Sequence, residues 1–167
     1  HAIGARYKGR PVGNCAHSDI CVFSFHPVKI ITTAEGGLAT TNDAELAARM
    51  ELHRSHGVTR DPVLMTHEAD GPWYYQQIDL GFNYRITDLQ AALGLSQLER
   101  LDDYVKRRNA LAERYDSALA KLPVTTPWQR PDSYSSRHLY VIRLQLDQVT
   151  PTHHQVFERL REQRIGV

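Results

Sequence analysis

"SFHPVKIITTAEGG" (residues 24–37) sets Lys29 between Val28 and the pair Ile30-Ile31. Ammonium groups belong in water, so the placement admits two readings. Lys29 is either a surface lysine on a loop that follows a strand, or an amine made more nucleophilic because apolar neighbours disfavour its charged form. An amine of the second kind is what Schiff-base chemistry requires. Ser24, five residues earlier, brings a hydroxyl to the end of an apolar run, where it needs a partner; nearby backbone or a bound phosphate would each serve.

Working outward, "DICVFSF" (residues 19–25) is rich in β-formers and predicts a buried strand that ends near Pro27. "GGLATT" (residues 36–41) predicts a second strand after the Gly36-Gly37 pair. "NDAELAARMELHRSHG" (residues 42–57) predicts a helix with Asn42 or Asp43 as N-cap, Leu46 and Met50 on one face and Gly57 as its stop. Residues 58–79, with Pro62, Gly71 and Pro72, form a long excursion of the kind that carries function.

"TDLQ" (residues 87–90) is a capping box that opens a long helix. Its later apolar face runs Leu98, Leu101, Val105, Ala112, Tyr115, Leu119 and Leu122. Unbroken to Leu122 it would span ~50 Å at about 1.5 Å per residue, so a bend is expected, and a helix of that length connects two domains. After the loop "PVTTPWQRPDSYSSR" (residues 123–137), "HLYVIRLQL" (residues 138–146) predicts a strand. Thr150-Pro151 are expected to cap a last amphipathic helix closed by Gly166.

Composition bounds the function. The chain has 167 residues, 41% of them hydrophobic and 23% charged, as in a globular domain. A net charge of +1, without a Lys/Arg run, argues against nucleic acid and against a polybasic membrane surface. Cys15 and Cys21 are the only cysteines, too few for a disulfide framework, which suits a reducing cytoplasm. No signal peptide or membrane-spanning run is visible. The chain opens on His1 and stops at "RIGV", so both ends are expected to be cut from something longer. His53 and His56 stand three apart but lack a third ligand at matching spacing, so no metal site is expected there. His153-His154 read as surface residues and Cys21 as a small core residue. Trp73, Tyr74 and Tyr75 either pack on a ligand or anchor the excursion.

The words "HAIGARYKGRPVG" (residues 1–13), "FSFHPVKIITTAEGGLATTND" (23–43), "RSHG" (54–57), "DLGFNYRITDLQAALGLSQLERLDDYVKRRNALAERYDSAL" (79–119) and "HLYVIRL" (138–144) together resemble the DegT/DnrJ/StrS family of nucleotide-sugar aminotransferases. The resemblance implies an α/β chain belonging to a fold type I, pyridoxal 5′-phosphate (PLP)-dependent transferase. Residues 1–97 would be the end of its large, mostly parallel-sheet domain, 98–122 a connecting helix, and 123–167 the beginning of a small α+β domain. It further implies that Lys29 forms the Schiff base, that Ser24 contacts the cofactor phosphate, and that His1 lies beside the pyridine ring. Asn83, in "GFNYR", would reach the partner subunit's phosphate in a homodimer with composite sites. Arg85 would meet a glutamate carboxylate or a nucleotide group, unless it simply pairs with Asp88.

The expected reaction is ping-pong transamination from L-glutamate to C-4 of a UDP-4-keto-6-deoxy-N-acetylhexosamine, with Lys29 carrying the proton. Other nucleotide-sugar C-4 or C-3 aminotransferases of the family share most of these words. A dehydratase of the family would have histidine in place of Lys29. A regulatory, non-enzymatic homologue and an inactive fragment are the remaining alternatives.

Overall fold

The computed structural model describes all residues, 1–167. The chain forms four small groups of paired strands and four helices, with one apolar cluster built from the third strand, the loop after it and the third helix. In chain order the elements are β1 (Arg6–Tyr7), β2 (Arg10–Pro11), β3 (Cys21–Ser24), β4 (Gly37–Thr40), α1 (Ala44–Arg54), β5 (Val58–Thr59), β6 (Gln76–Gln77), α2 (Asp88–Leu98), α3 (Leu101–Leu119), β7 (Val124–Thr125), β8 (Ser133–Tyr134), β9 (Arg143–Leu144) and α4 (His153–Glu162). The strands pair as β2-β1-β8, β3-β4, β5-β6 and β7-β9. Every one of these pairings is antiparallel, so the parallel sheet expected of the large domain is not formed among these residues.

The two strands flanking the opening stretch pair in register from Cys21 opposite Thr40 to Ser24 opposite Gly37. Residues between them close as a compact loop on the carbonyl of Phe25, which accepts from Thr33 N (3.0 Å) and from the Thr32 hydroxyl (2.9 Å), while Phe25 N donates to Gly36 O (2.9 Å). Phe23, Phe25, Ile30 and Ile31 point into the core, where they meet Leu101 and Val105 of α3; Cys21 packs at its margin. Each such side chain contributes about 1.5–3 kcal/mol when fully buried, so this small cluster is what fixes the Lys29 loop to α3.

The helix signals resolve locally. Asp43 caps α1, its carboxylate accepting from Glu45 N (2.8 Å) and Leu46 N (3.0 Å). The capping box at Thr87 forms, with Gln90 returning the bond. The last helix is capped by Thr152 and Gln155, two residues beyond the Thr150-Pro151 start expected from sequence. The long helix is two helices: α2 ends at Leu98 and α3 begins at Leu101, with Arg100 at φ −102°, ψ 2° and no side-chain cap. The apolar spacing runs through this break, and no proline or glycine marks it. Of "HLYVIRLQL", only Arg143–Leu144 forms a strand, paired with β7. Its first residues turn back instead toward the start of the chain.

The words "RSHG" and "DLGFNYR" lie against each other backbone to backbone. Phe82 N donates to His53 O (2.7 Å), His56 N to Phe82 O (2.9 Å), Tyr84 N to Arg54 O (3.0 Å) and Ile78 N to Gly57 O (2.8 Å). A Cβ on Gly57 would stand 2.0 Å from Asp79 O, and one on Gly81 2.2 Å from Gly57 N. Gly57 also sits at φ +69°, the left-handed region that other residues enter at a cost. Two glycines are therefore required where these segments cross.

Candidate active site

Lys29 follows a turn in which its N–H donates to His26 O (2.9 Å). The expected apolar wrapping of its amine is only partly seen: Ile30 and Ile31 are buried in the core, whereas Val28 is exposed and Lys29 itself is half-buried. The side chain instead reaches His1, and Nζ is hydrogen-bonded to the imidazole Nε2. Ser24, half-buried at the end of β3, holds only a 3.5 Å contact from His26 N. Its hydroxyl is thus available as a donor. His1, Ser24 and Lys29 come from two separate segments, one leading into β1 and one running from the end of β3 toward β4.

A third segment joins them. Ser136, the most enclosed side chain of the chain at 2% exposure, donates its hydroxyl to His1 O (3.1 Å). The His138 ring stacks on that of His1, with centroids 4.6 Å apart and planes 13° from parallel. Burial pushes the His138 pKa below the usual histidine value, and the positive charges of Lys29 and Arg108 push the same way. Residues 135–138 are held to α3 by two side chains. Arg108 Nη1 donates to the carbonyls of Arg137 (3.2 Å) and His138 (3.3 Å), and Asn109 Nδ2 donates to that of Ser135 (2.9 Å).

Sequence reasoning placed His138 at the start of a strand and missed it as a site residue. The available signal was that "HLYVIRL" is shared with the family although only its Arg143-Leu144 end pairs as a strand.

Asn83 and Arg85 are not brought to Lys29. Asn83 forms a bridge with Ser55, and Asn83 and Arg85 line a separate cleft with Glu35–Thr41, Leu46 and Met50. Arg85 makes no ion pair, so the simple pairing with Asp88 does not occur. His53 lies 3.6 Å from Asp79. No group of three His, Cys, Asp or Glu side chains is arranged to hold a metal. His154 pairs with Glu158 on the surface of α4 (3.3 Å). In the excursion, Trp73 and Tyr75 are exposed, while Tyr74 donates to His67 Nε2 or accepts from it at 2.6 Å. Tyr74 thereby anchors the loop, and the Arg60 guanidinium lies over the Tyr75 ring, 5.8 Å from its centroid.

The profile of the DegT/DnrJ/EryC1/StrS aminotransferase family matches residues 1–167. The chain belongs to this family. It is 39% identical over 168 aligned positions to the UDP-4-amino-4,6-dideoxy-N-acetyl-beta-L-altrosamine transaminase of Campylobacter jejuni subsp. jejuni serotype O:23/36, covering 100% of this chain and 42% of that protein. Among solved structures it is similar to Helicobacter pylori PseC, an aminotransferase involved in the biosynthesis of pseudoaminic acid (TM-score 0.83, 34% identity, 98% of this chain and 41% of that one). It is also similar to the PLP form of a sugar aminotransferase, Spr1654, from Streptococcus pneumoniae (TM-score 0.80, 32% identity, 98% and 40%). This member of the family thus spans about two fifths of the length of the relatives it matches.

Proposed function

We propose that the protein carrying this chain is a PLP-dependent aminotransferase that moves the amino group of L-glutamate to C-4 of a UDP-4-keto-6-deoxy-N-acetylhexosamine. The observation that carries this reading is the convergence of Lys29 Nζ on the His1 imidazole, beside a Ser24 hydroxyl with only one weak contact. The residues fit the cofactor: an amine to attach it, a flat ring to lie beside the pyridine, a free donor for the phosphate. Behind His1, the His138 Nδ1 is cut off from solvent and has no partner among the chain's own groups. When bound, PLP supplies the electron sink that acidifies the carbon bearing the amino group.

Lys29 has two tasks. Its amine would hold the cofactor, and when free it would carry a proton as base and then as acid. His1 orients the ring plane, and Ser24 donates to the phosphate. The identity to the altrosamine transaminase supports the UDP sugar and the C-4 position. Asn83 and Arg85, lining a cleft apart from Lys29, suit a homodimer in which each subunit lends them to its partner's site. The two unpaired thiols suit a cytoplasmic setting.

The test is borohydride trapping of the protein expressed from its whole reading frame, followed by peptide mass mapping, with turnover measured on a panel of UDP- and GDP-linked keto-sugars. Cofactor fixed on Lys29 and turnover of the UDP-4-keto sugar are expected. Trapping on another residue would overturn the assignment of Lys29; turnover confined to a different keto-sugar would move the substrate within the family. Asn83→Ala and Lys29→Ala subunits, each inactive alone, should regain activity when mixed. Mixed dimers without recovery would refute the composite site.

A further inference from the structure

We infer that His138 is a positioning residue of this site: its ring backs the ring of His1 and thereby fixes the plane and direction in which His1 faces Lys29. The inference rests on the reading that His1 lies beside the cofactor. Several independent features point to it. The two imidazoles are 4.6 Å apart and within 13° of parallel, so the stack occupies one face of the His1 ring. His1 Nε2 is engaged by Lys29, and its main-chain carbonyl by Ser136, so both ends of the residue are held.

His138 is in turn held by its backbone rather than by its own polar atoms. Its carbonyl accepts from Arg108, and its ring makes no hydrogen bond in the chain, with Nδ1 buried and unpartnered. A histidine placed for hydrogen bonding would show a partner for a buried nitrogen. The stack is what remains for the ring to do. Because Arg108 and Asn109 lie on α3, the support for the cofactor plane comes from the segment after the long helix, not from the strands that carry Lys29.

The test begins without cofactor. In the cofactor-free protein expressed from its whole reading frame, with labelled histidine, the carbon-bound ring protons of His1 should be shifted upfield by the neighbouring ring. His138→Ala should abolish that shift, and His138→Phe should keep it. With PLP, the dissociation constant should rise about two- to tenfold for His138→Ala, as expected for losing one ring–ring contact, and return close to its starting value for His138→Phe.

Unchanged His1 resonances in His138→Ala would overturn the proposal. So would equal loss of PLP affinity in the alanine and phenylalanine variants, because the polar atoms rather than the stack would then matter. Should His138→Ala fail to fold, His138→Gln, which keeps bulk and polarity without a ring, carries the same comparison. Failure to trap cofactor on Lys29 in the unaltered protein would remove the functional reading and leave the cofactor-free spectrum as the judge of the stack.

Discussion

Two regions of the molecule carry comparably strong family words and meet opposite fates. The stretch around Lys29 is explained from within: Phe23, Phe25, Ile30 and Ile31 are buried against Leu101 and Val105. The stretch from Leu80 to Leu98 is not. Leu80 is 83% exposed, Tyr84 73% and Leu89 86%, and α2 has no buried residue. The same kind of apolar sequence therefore specifies a core in one place and an uncovered surface in the other. Chemistry is gathered where the chain packs on itself, and the residues of "GFNYR" are held in place by backbone bonds to α1 while their side chains face outward.

The sharpest way to test that contrast is Lys29→Ala, which should cost at least about a thousandfold in transamination rate through loss of both attachment and proton transfer. Single-turnover kinetics with glutamate would read it; a loss under tenfold would place the chemistry elsewhere. Next in size is the behaviour of residues 1–167 expressed alone. With so much apolar surface outside the small core, they are expected to bind an apolar dye and to unfold over a broad temperature range. A sharp melt with little dye bound would break the comparison.

Ile31→Ala, in the protein from its whole reading frame, is expected to lower unfolding stability by about 2–4 kcal/mol in urea titrations, as for other buried truncations. Thr87→Ala tests the outward-facing region, where local capping rather than packing starts α2; about 1 kcal/mol is expected. Equal costs at the two positions would erase the distinction.

The smallest effect concerns pH. The lowered pKa of folded His138 means that the unfolded chain takes up this proton first as pH falls, so stability declines as pH drops from above the ordinary histidine value near 6.5 and levels off below the folded value. His138→Phe should flatten that part of the pH–stability curve.

How much of this was legible follows from the range of each signal. The β3 and β4 strands, the Asp43 cap and the Thr87 capping box depend on residues a few positions apart, and spacing reports them. Lys29 was legible as an anomaly, and the family words gave it a role. A bend was expected from the length of the helix, but its position at Glu99-Arg100 was not marked, because the apolar repeat continues across it. The return of Ser136 and His138 to His1 spans 135 residues or more, and no local pattern announces it. Strand pairing was not legible for a related reason: it depends on which segments are present to pair, whereas β-propensity tells only that a segment pairs at all.

The joint between α2 and α3 has a mechanical consequence. Taken as a fulcrum, it lies close to one end of a 19-residue rod. A swing of about 5° there would move Arg108 by about 1 Å but Asp116, some 24 Å along the axis at about 1.5 Å per residue, by about 2 Å. Arg108 grips the loop bearing Ser136 and His138, whereas Asp116 grips the Tyr140 hydroxyl at 2.5 Å. Leverage along α3 is thus unequal: for the same swing, the end that holds Tyr140 moves about twice as far as the part that holds the wall behind His1.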